Sequence, residues 1–210
     1  MNKTRLRVAV VHLDESCLGN GRDGDNPGGA GALIEIRTPE GVARRDCYLA
    51  APATTNNRMA LAGAIAVLQL LARKEKKLQV LLVSDSEYLV KGIREWVPSW
   101  AARGWTRKGG PIENLHLWKA LVQSVDLHEA QFTWVRGHAG HPKNEYANDL
   151  AVLAAKEQVT SDGVVESGFG AWLEAARSRK KYLQYDPDAS FTELEQRLAS
   201  GERIPRADAA

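Results

Sequence analysis

The sequence predicts an α/β fold: a five-stranded mixed sheet, with three antiparallel strands followed by parallel strands, flanked by helices. Two patterns support this prediction. Short apolar segments at 6–13, 32–37 and 42–49 are separated only by loops and turns, which is typical of an antiparallel meander. Later apolar segments at 78–83 and 132–135 alternate with stretches of helical periodicity, which is typical of sheets that contain parallel strands.

The strand assignments depend on composition and on turn residues. The first segment is rich in valine and ends at Asp14. A Pro-Glu-Gly turn at 39–41 joins the second segment to the third. The fourth segment has almost no polar interruption, as expected for a strand that is covered on both faces.

Helical periodicity predicts four helices in the same part of the chain. Asn56 or Asn57 can cap the first, which runs to about Lys74 and carries an apolar stripe along one side. The other three are predicted at 87–95, 112–125 and 143–157.

The chain divides into a core domain at 1–157 and a C-terminal extension at 158–210. The extension starts with a Gly- and Ser-containing stretch typical of a linker, and residues 171–181 predict a basic helix. The residues at 190–193 resemble a capping box before a second short helix, and residues from about 204 onward are predicted to be frayed. The extension could dock on the core, bind nucleic acid through its basic residues or mediate dimers.

Composition limits the class of protein. The 210 residues are 44% hydrophobic and 26% charged, which is ordinary for a globular protein, and the formal net charge is only +2. Affinity for nucleic acid must therefore come from a local basic patch. Two cysteines argue against a disulfide framework, and the N-terminus resembles neither a signal peptide nor a membrane span, so we expect a cytoplasmic protein without membrane contact.

Two aspartates follow apolar strands. Asp14 closes the first strand and Asp85 closes the fourth. If these strands are neighbours, the two carboxylates emerge at one edge of the sheet, where ligand sites lie. Adjacent carboxylates repel each other and need a cation, and oxygen ligands favour Mg²⁺. The alternative is that Asp85 only caps a helix and Asp14 only starts a turn.

A loop histidine and a helix asparagine are further candidates. His138 lies between Gly137 and Gly140, and a histidine in such a loop suits proton transfer, although a single structural hydrogen bond would explain it equally well. Asn148 and Asp149 are adjacent on the last core helix and point about 100° apart, so only one of them can face a site beside it.

Two other segments favour contact with nucleic acid. Neutral amides and a guanidinium at 56–58, at the start of a helix, suit a phosphate and its sugar. Four tryptophans between 96 and 118 are interleaved with Arg94, Arg103, Arg107 and Lys108. An aromatic cluster with a basic rim is a plausible clamp for a phosphate backbone, while packing in the core is the simpler explanation of the aromatic residues alone.

Together these segments resemble ribonuclease H type 1 in order and approximate spacing over about the first 155 residues. The segments that carry the resemblance are 13–20 (LDESCLGN), 54–59 (TTNNRM), 84–88 (SDSEY), 103–105 (RGW) and 135–142 (VRGHAGHP). The resemblance implies a ribonuclease H-like fold and endonucleolytic hydrolysis of the RNA strand of RNA–DNA hybrids, leaving 5′-phosphate and 3′-hydroxyl ends. It also implies two Mg²⁺ ions per site, with Mn²⁺ as a substitute, and an RNA–DNA hybrid as the partner of a monomer.

The resemblance also implies roles for individual residues. The metal-binding residues would be Asp14, Asp85 and Asn148. Asn20, Asn56 and Asn57 would touch the hybrid near the cut, Thr55 and Arg58 would hold a phosphate of the DNA strand, and His138 would move protons or help the product to leave. The remaining substrate contacts would be Cys17, Glu87, Trp100, Arg103, Trp105 and Asn114, and the stretch from 96 to 114 matches the basic handle of bacterial members.

The sequence departs from the family at two catalytic positions. The family has Glu where this chain has Ala60, and commonly Asp where it has Asn148, while Glu15 replaces a usual small residue. Alanine cannot bind a metal ion, so we expect this chain to cut weakly or not at all, and Ala60→Glu to produce strong cleavage. Ala60 is either a deliberate replacement or natural decay into a hybrid-binding protein, and the retained substrate contacts favour the first.

Overall fold

The structure, a computed structural model, describes residues 6–19, 26–74, 77–137 and 139–200. Two residues for which the resemblance implies a role, Asn20 and His138, lie outside these ranges, as does the predicted frayed end. In the described ranges, no helix combines the length and apolar character that crossing a membrane would require.

Six strands form one mixed sheet. They are β1 (Val8–Cys17), β2 (Gly28–Thr38), β3 (Gly41–Ala51), β4 (Gln79–Ser84), β5 (Glu129–Trp134) and β6 (Val165–Glu166). The order across the sheet is β5-β4-β1-β2-β3-β6, with β1, β2 and β3 antiparallel and β4 and β5 parallel to β1. This confirms the predicted fold class and strand directions. The sixth strand was not predicted, because only two residues of the supposed linker pair with β3.

Helices cover both faces of the sheet. They are α1 (Asn56–Lys74), α2 (Glu87–Lys91), α3 (Val97–Ala102), α4 (Leu115–Val125), α5 (Pro142–Glu157), α6 (Phe169–Ser178) and α7 (Pro187–Ala199). A π-helical turn, Gly92–Trp96, joins α2 to α3, so the helix predicted at 87–95 continues to Ala102. The helix predicted from 112 begins at Leu115, because Asn114 adopts a left-handed backbone conformation.

The predicted capping box in the extension was wrong. Helix α7 begins earlier, at Pro187, and its cap is Asp186, whose carboxylate accepts the backbone N–H groups of Asp188 and Ala189 at 2.9 and 3.1 Å. Asp is as good a cap as Ser, and Pro suits the first helical position, so the sequence contained this signal too.

The side chains of β1 alternate between the two helical layers. Leu13 faces α1, because a Cβ added to Gly63 of α1 would lie 3.0 Å from a Leu13 methyl group. Asp14 faces α5, whose Asn144 donates a hydrogen bond to it at 3.1 Å. Residues of α7, including Phe191 and Leu198, pack beside α5 on that second face. The carboxyl end of β1 therefore presents side chains to both layers.

Candidate active site

Asp14 and Asp85 converge at the carboxyl ends of neighbouring strands. Leu13 of β1 is the register partner of Ser84 of β4, so each aspartate is the next residue along its strand. The two carboxylates influence each other electrostatically. The loop after β5 closes on the same place, since a Cβ added to Gly137 would lie 2.2 Å from Asp85 Oδ2. The geometry thus brings together the two acidic groups that the sequence separates by 71 positions.

Asp14 is held in one orientation in a buried setting. Its side chain accepts the backbone N–H of Glu15 at 2.7 Å and the Asn144 amide at 3.1 Å. Burial, and then the negative charge of Asp85, raise the pKa of Asp14 to about 8, while the two hydrogen bonds oppose that rise. Without a nearby cation, this carboxyl group is difficult to ionise. That behaviour is expected of a metal ligand in the absence of its ion.

Glu15 is a third carboxylate at this site. Burial, and then the charge of Asp14, raise its pKa to about 8, with a smaller contribution from Asp85 and an opposing hydrogen bond from Ser86. Its Oε2 atom is buried and has no hydrogen-bond partner. In the sequence, Glu15 stands out only as a departure from the family. The signal was present, because a second carboxylate directly follows Asp14 in a chain that lacks one at position 60.

The periodicity of α1 and β1 places Ala60 near Glu15. Alternation along β1 puts Glu15 on the face of Leu13, towards α1. On α1, Gly63 contacts the Leu13 side chain, and Met59 approaches Gly28, the register partner of Cys17. Ala60 falls between these two contacts and is fully buried, so it lies at the level of Glu15. A small side chain there leaves room for a carboxylate that comes from the strand instead of from the helix.

The oxygen atoms at this site fit a hard divalent ion. As placed, no three His, Cys, Asp or Glu side chains of the described residues are grouped tightly enough to hold a metal ion. However, Glu15 Oε2 and Asn144 Oδ1 are buried oxygens without partners, and two adjacent carboxyl groups have raised pKa values. Such unsatisfied oxygens are costly to bury, and closing on a cation would satisfy them.

The orientation of helix α5 determines which of the adjacent residues Asn148 and Asp149 can face the site. Asn148 is one turn beyond Asn144 and shares the face that contacts Asp14. Asp149 lies on another side of the helix, where its carboxylate accepts the indole N–H of Trp172 at 2.7 Å. The neutral Asn148, not the acidic Asp149, is therefore the residue of this pair that faces the carboxylates.

The residues at 55–58 line a surface groove. Its volume is about 410 Å³ and its walls are Thr55, Asn56, Asn57, Arg58, Glu113 and Asn114. The predicted cap by Asn56 or Asn57 was wrong. The cap is Thr55, whose hydroxyl accepts the Arg58 N–H at 3.3 Å. Both asparagine side chains are thereby released from capping, and the Oδ1 atom of Asn56 is buried without a partner.

The tryptophan-rich stretch has an aromatic core and a basic outer loop. Trp100 is only 8% exposed and packs against Trp96 and Trp118, which argues for packing and against direct contact with a substrate. Arg103 and Arg107 are exposed in the loop that follows α3. The predicted contact residues Cys17, Glu87, Trp105 and Asn114 are half-buried or exposed, and Asn114 donates a hydrogen bond to the Tyr88 hydroxyl at 3.3 Å.

The raised pKa values predict how stability depends on pH. A carboxyl group whose pKa rises from about 4 when unfolded to about 8 when folded stabilises the protein at low pH, and that stability is lost as pH rises towards 8. In EDTA the melting temperature should fall between pH 5 and pH 8 by more in this chain than in Glu15→Gln. Mg²⁺ should raise the melting temperature more at pH 8 than at pH 5. Thermal melts of both proteins would check this, and equal pH dependence in the two would contradict it.

Comparison with known proteins agrees with this geometry. A family model described as RNase H matches residues 7–156. The Ribonuclease H of Methylococcus capsulatus is 40% identical over 165 residues, covering 78% of this chain and 99% of that protein. The Ribonuclease HI of Pseudomonas aeruginosa is 43% identical over 150 residues, covering 70% of this chain and 93% of that protein.

A solved structure, LC9-RNase H1, is described as a type 1 RNase H with the type 2 active-site motif. It is 51% identical to this chain, with a TM-score of 0.75, and the match covers 80% of this chain and 81% of that one. Residues of β6, α6 and α7 lie beyond the segment that the family model matches. On the family model, the identities and the shared fold, the chain belongs to the ribonuclease H family, among its type 1 members.

Proposed function

We propose that this chain hydrolyses the RNA strand of RNA–DNA hybrids as an endonuclease, leaving 5′-phosphate and 3′-hydroxyl ends. The observation that carries the proposal is the convergence of Asp14, Glu15 and Asp85 at one edge of the sheet. The relatives named Ribonuclease H support the substrate and the reaction. A site of this kind needs oxygen ligands and a neighbouring surface that holds a nucleic-acid backbone, and the chain offers both.

Asp14, Glu15 and Asp85, with the amide oxygen of Asn148, would hold the magnesium ions. When bound, these ions supply a reactive water at neutral pH and stabilise the charge on the departing oxygen. The protein contributes orientation: Asn144 and the Glu15 backbone N–H fix the Asp14 carboxylate, and Ser86 fixes that of Glu15. The loop at Gly137 limits the space beside Asp85.

We further propose that Glu15 takes the place of the carboxylate that the family carries at position 60. It lies at the level of Ala60, on the same face of the sheet, and its charge interacts with both aspartates. LC9-RNase H1 supports this, because a type 1 RNase H can carry a different active-site motif. The prediction that Ala60 impairs the chain stays a prediction, and the placement of Glu15 counts against it.

The groove at 55–58 is proposed to hold the substrate. Asn57 can donate to sugar and base-edge acceptors in a minor groove, where 2′-hydroxyls distinguish RNA from DNA. The exposed Arg58 at the start of α1 suits a phosphate of the other strand. The exposed Arg103, Arg107 and Lys108 would act as a basic handle that contacts the backbone further along the duplex.

The experiment is a cleavage assay on three labelled duplexes of one sequence: RNA–DNA hybrid, DNA–DNA and RNA–RNA. With Mg²⁺, the chain should cut only the RNA strand of the hybrid. Asp85→Asn should lower the rate by about 100-fold or more, because it removes a carboxylate that faces the ions. Asp162→Asn is the matched control, since this aspartate is exposed in the extension.

Two results would contradict the proposal. Binding of the hybrid without cleavage at any Mg²⁺ or Mn²⁺ concentration would indicate a non-catalytic hybrid-binding protein. Equal cutting of DNA–DNA would indicate a different nuclease on the same fold.

A further inference from the structure

We propose that the C-terminal extension is a positioning element of the active site. It binds the outer side of α5 and thereby holds Asn144 and Asn148 in place against the carboxylates of the active site. The inference rests on the proposed function, because it assigns the extension a role at that metal-binding site. The extension lies beyond the segment shared with the family model, which ends at residue 156.

The backbone of helix α5 packs directly against the backbone of β2. A Cβ added to Gly31 would lie 2.5 Å from the Ala147 carbonyl oxygen, and one added to Gly29 would lie 2.3 Å from that of Ala151. The two glycines therefore allow backbone-to-backbone approach. Because the contact is so close, a small rotation or shift of α5 moves its site-facing side chains directly.

Two aromatic residues of the extension hold the outer side of α5. The Trp172 indole donates to Asp149 at 2.7 Å, and the Tyr182 hydroxyl donates to Glu145. The two acceptors are one helical turn apart, and the rings of Trp172 and Tyr182 stack with centroids 6.0 Å apart. We call this pair of hydrogen bonds the aromatic clamp.

A buried ion pair and a buried hydrogen bond add to the clamp. Lys143, 2% exposed, bonds Glu35 at 2.7 Å and the Pro187 carbonyl at the start of α7 at 2.9 Å. Tyr146 donates to Asp46 of β3, which also accepts the Ser167 hydroxyl at 2.7 Å.

Along α5, residues that bind the extension alternate with residues that face the active site. Residues 143, 145, 146 and 149 bind the extension or a group shared with it, while 144 and 148 face the site. Asn148 is a neutral ligand and contributes no net charge, so its contribution to ion binding depends on orientation. A clamp that fixes the orientation of α5 compensates for the missing charge.

The test removes the two clamp donors but keeps an aromatic ring at each position. The variant Trp172→Phe/Tyr182→Phe should weaken Mn²⁺ binding about 10-fold, measured by calorimetry without substrate. Glu195→Gln is the control. It removes the charge of the 2.8 Å salt bridge with Arg37 that docks the far end of α7 on β2, and it leaves both clamp residues and their acceptors on α5 unchanged. It should lower the melting temperature similarly and leave the Mn²⁺ affinity unchanged.

A double-mutant cycle tests whether the clamp acts through Asn148. In an Asn148→Ala background, the clamp variant should weaken Mn²⁺ binding by much less than about 10-fold, because only the part that acts through Asn144 remains. The inference is overturned if the clamp variant lowers only the melting temperature, or if it weakens Mn²⁺ binding equally with and without Asn148. If the unmodified chain binds no Mn²⁺ at all, the proposed function itself fails.

Discussion

Replacing Glu15 by glutamine is expected to lower the rate of hybrid cleavage by about 100-fold or more at saturating Mg²⁺. Glutamine keeps the size and one oxygen but removes the charge that balances the ions, and metal stabilisation of the transition state is worth several kcal/mol. Its side chain fits the same buried site, so the fold should persist. The measurement is single-turnover cleavage of a labelled hybrid.

The control for this variant is Glu40→Gln, which makes the same change in an exposed turn between β2 and β3. It should cut at the rate of the unmodified chain. A Glu15→Gln protein that cuts as fast as this control would show that Asp14 and Asp85 suffice, and that Glu15 has no part in catalysis.

The second large effect concerns moving the carboxylate from the strand to the helix. Glu15→Ala should be inactive, and adding Ala60→Glu to it should restore at least about 10-fold of the lost rate. The reason is that Ala60 is fully buried and, from the periodicity of α1 and β1, lies at the level of residue 15. Ala60→Glu alone should not raise the rate, because a longer side chain would be forced into a filled site, at a cost of about 1–3 kcal/mol.

The single variant Ala60→Glu and the double variant Glu15→Ala/Ala60→Glu distinguish the two interpretations of Ala60. A strong rise in cleavage by Ala60→Glu alone would mean that the chain is impaired as the family comparison first suggested. No recovery in the double variant, with an intact fold by circular dichroism, would mean that the two positions are not equivalent.

Much of this fold is predictable because its patterns are local. The five main strands, the core helices and the convergence of Asp14 with Asp85 follow from apolar runs and from the rule that ligand sites gather at the carboxyl ends of strands. Thr55 as the cap of α1 was missed because three consecutive polar residues can all cap, and propensity alone does not choose among them.

The role of Glu15 was harder to predict from the sequence, for a geometric reason. Consecutive residues of a strand point to opposite faces, so an aspartate and the next glutamate are not expected to serve one site. They do meet here because β4 ends at Ser84, opposite Leu13, so that beyond this point β1 is unpaired on its β4 side and both of its faces open onto the same region. The clamp on α5 was likewise hidden, since it joins residues 23 and 37 positions apart in sequence.

The most direct test of the central claim is a crystal structure of Asp85→Asn, a variant expected to be slow, soaked with Mn²⁺ and an uncut hybrid. Anomalous density is expected for an ion bound by Asp14 and Glu15, with a Glu15 carboxylate oxygen among its ligands. An ion bound by Asp14 with the Glu15 side chain turned away would contradict the account.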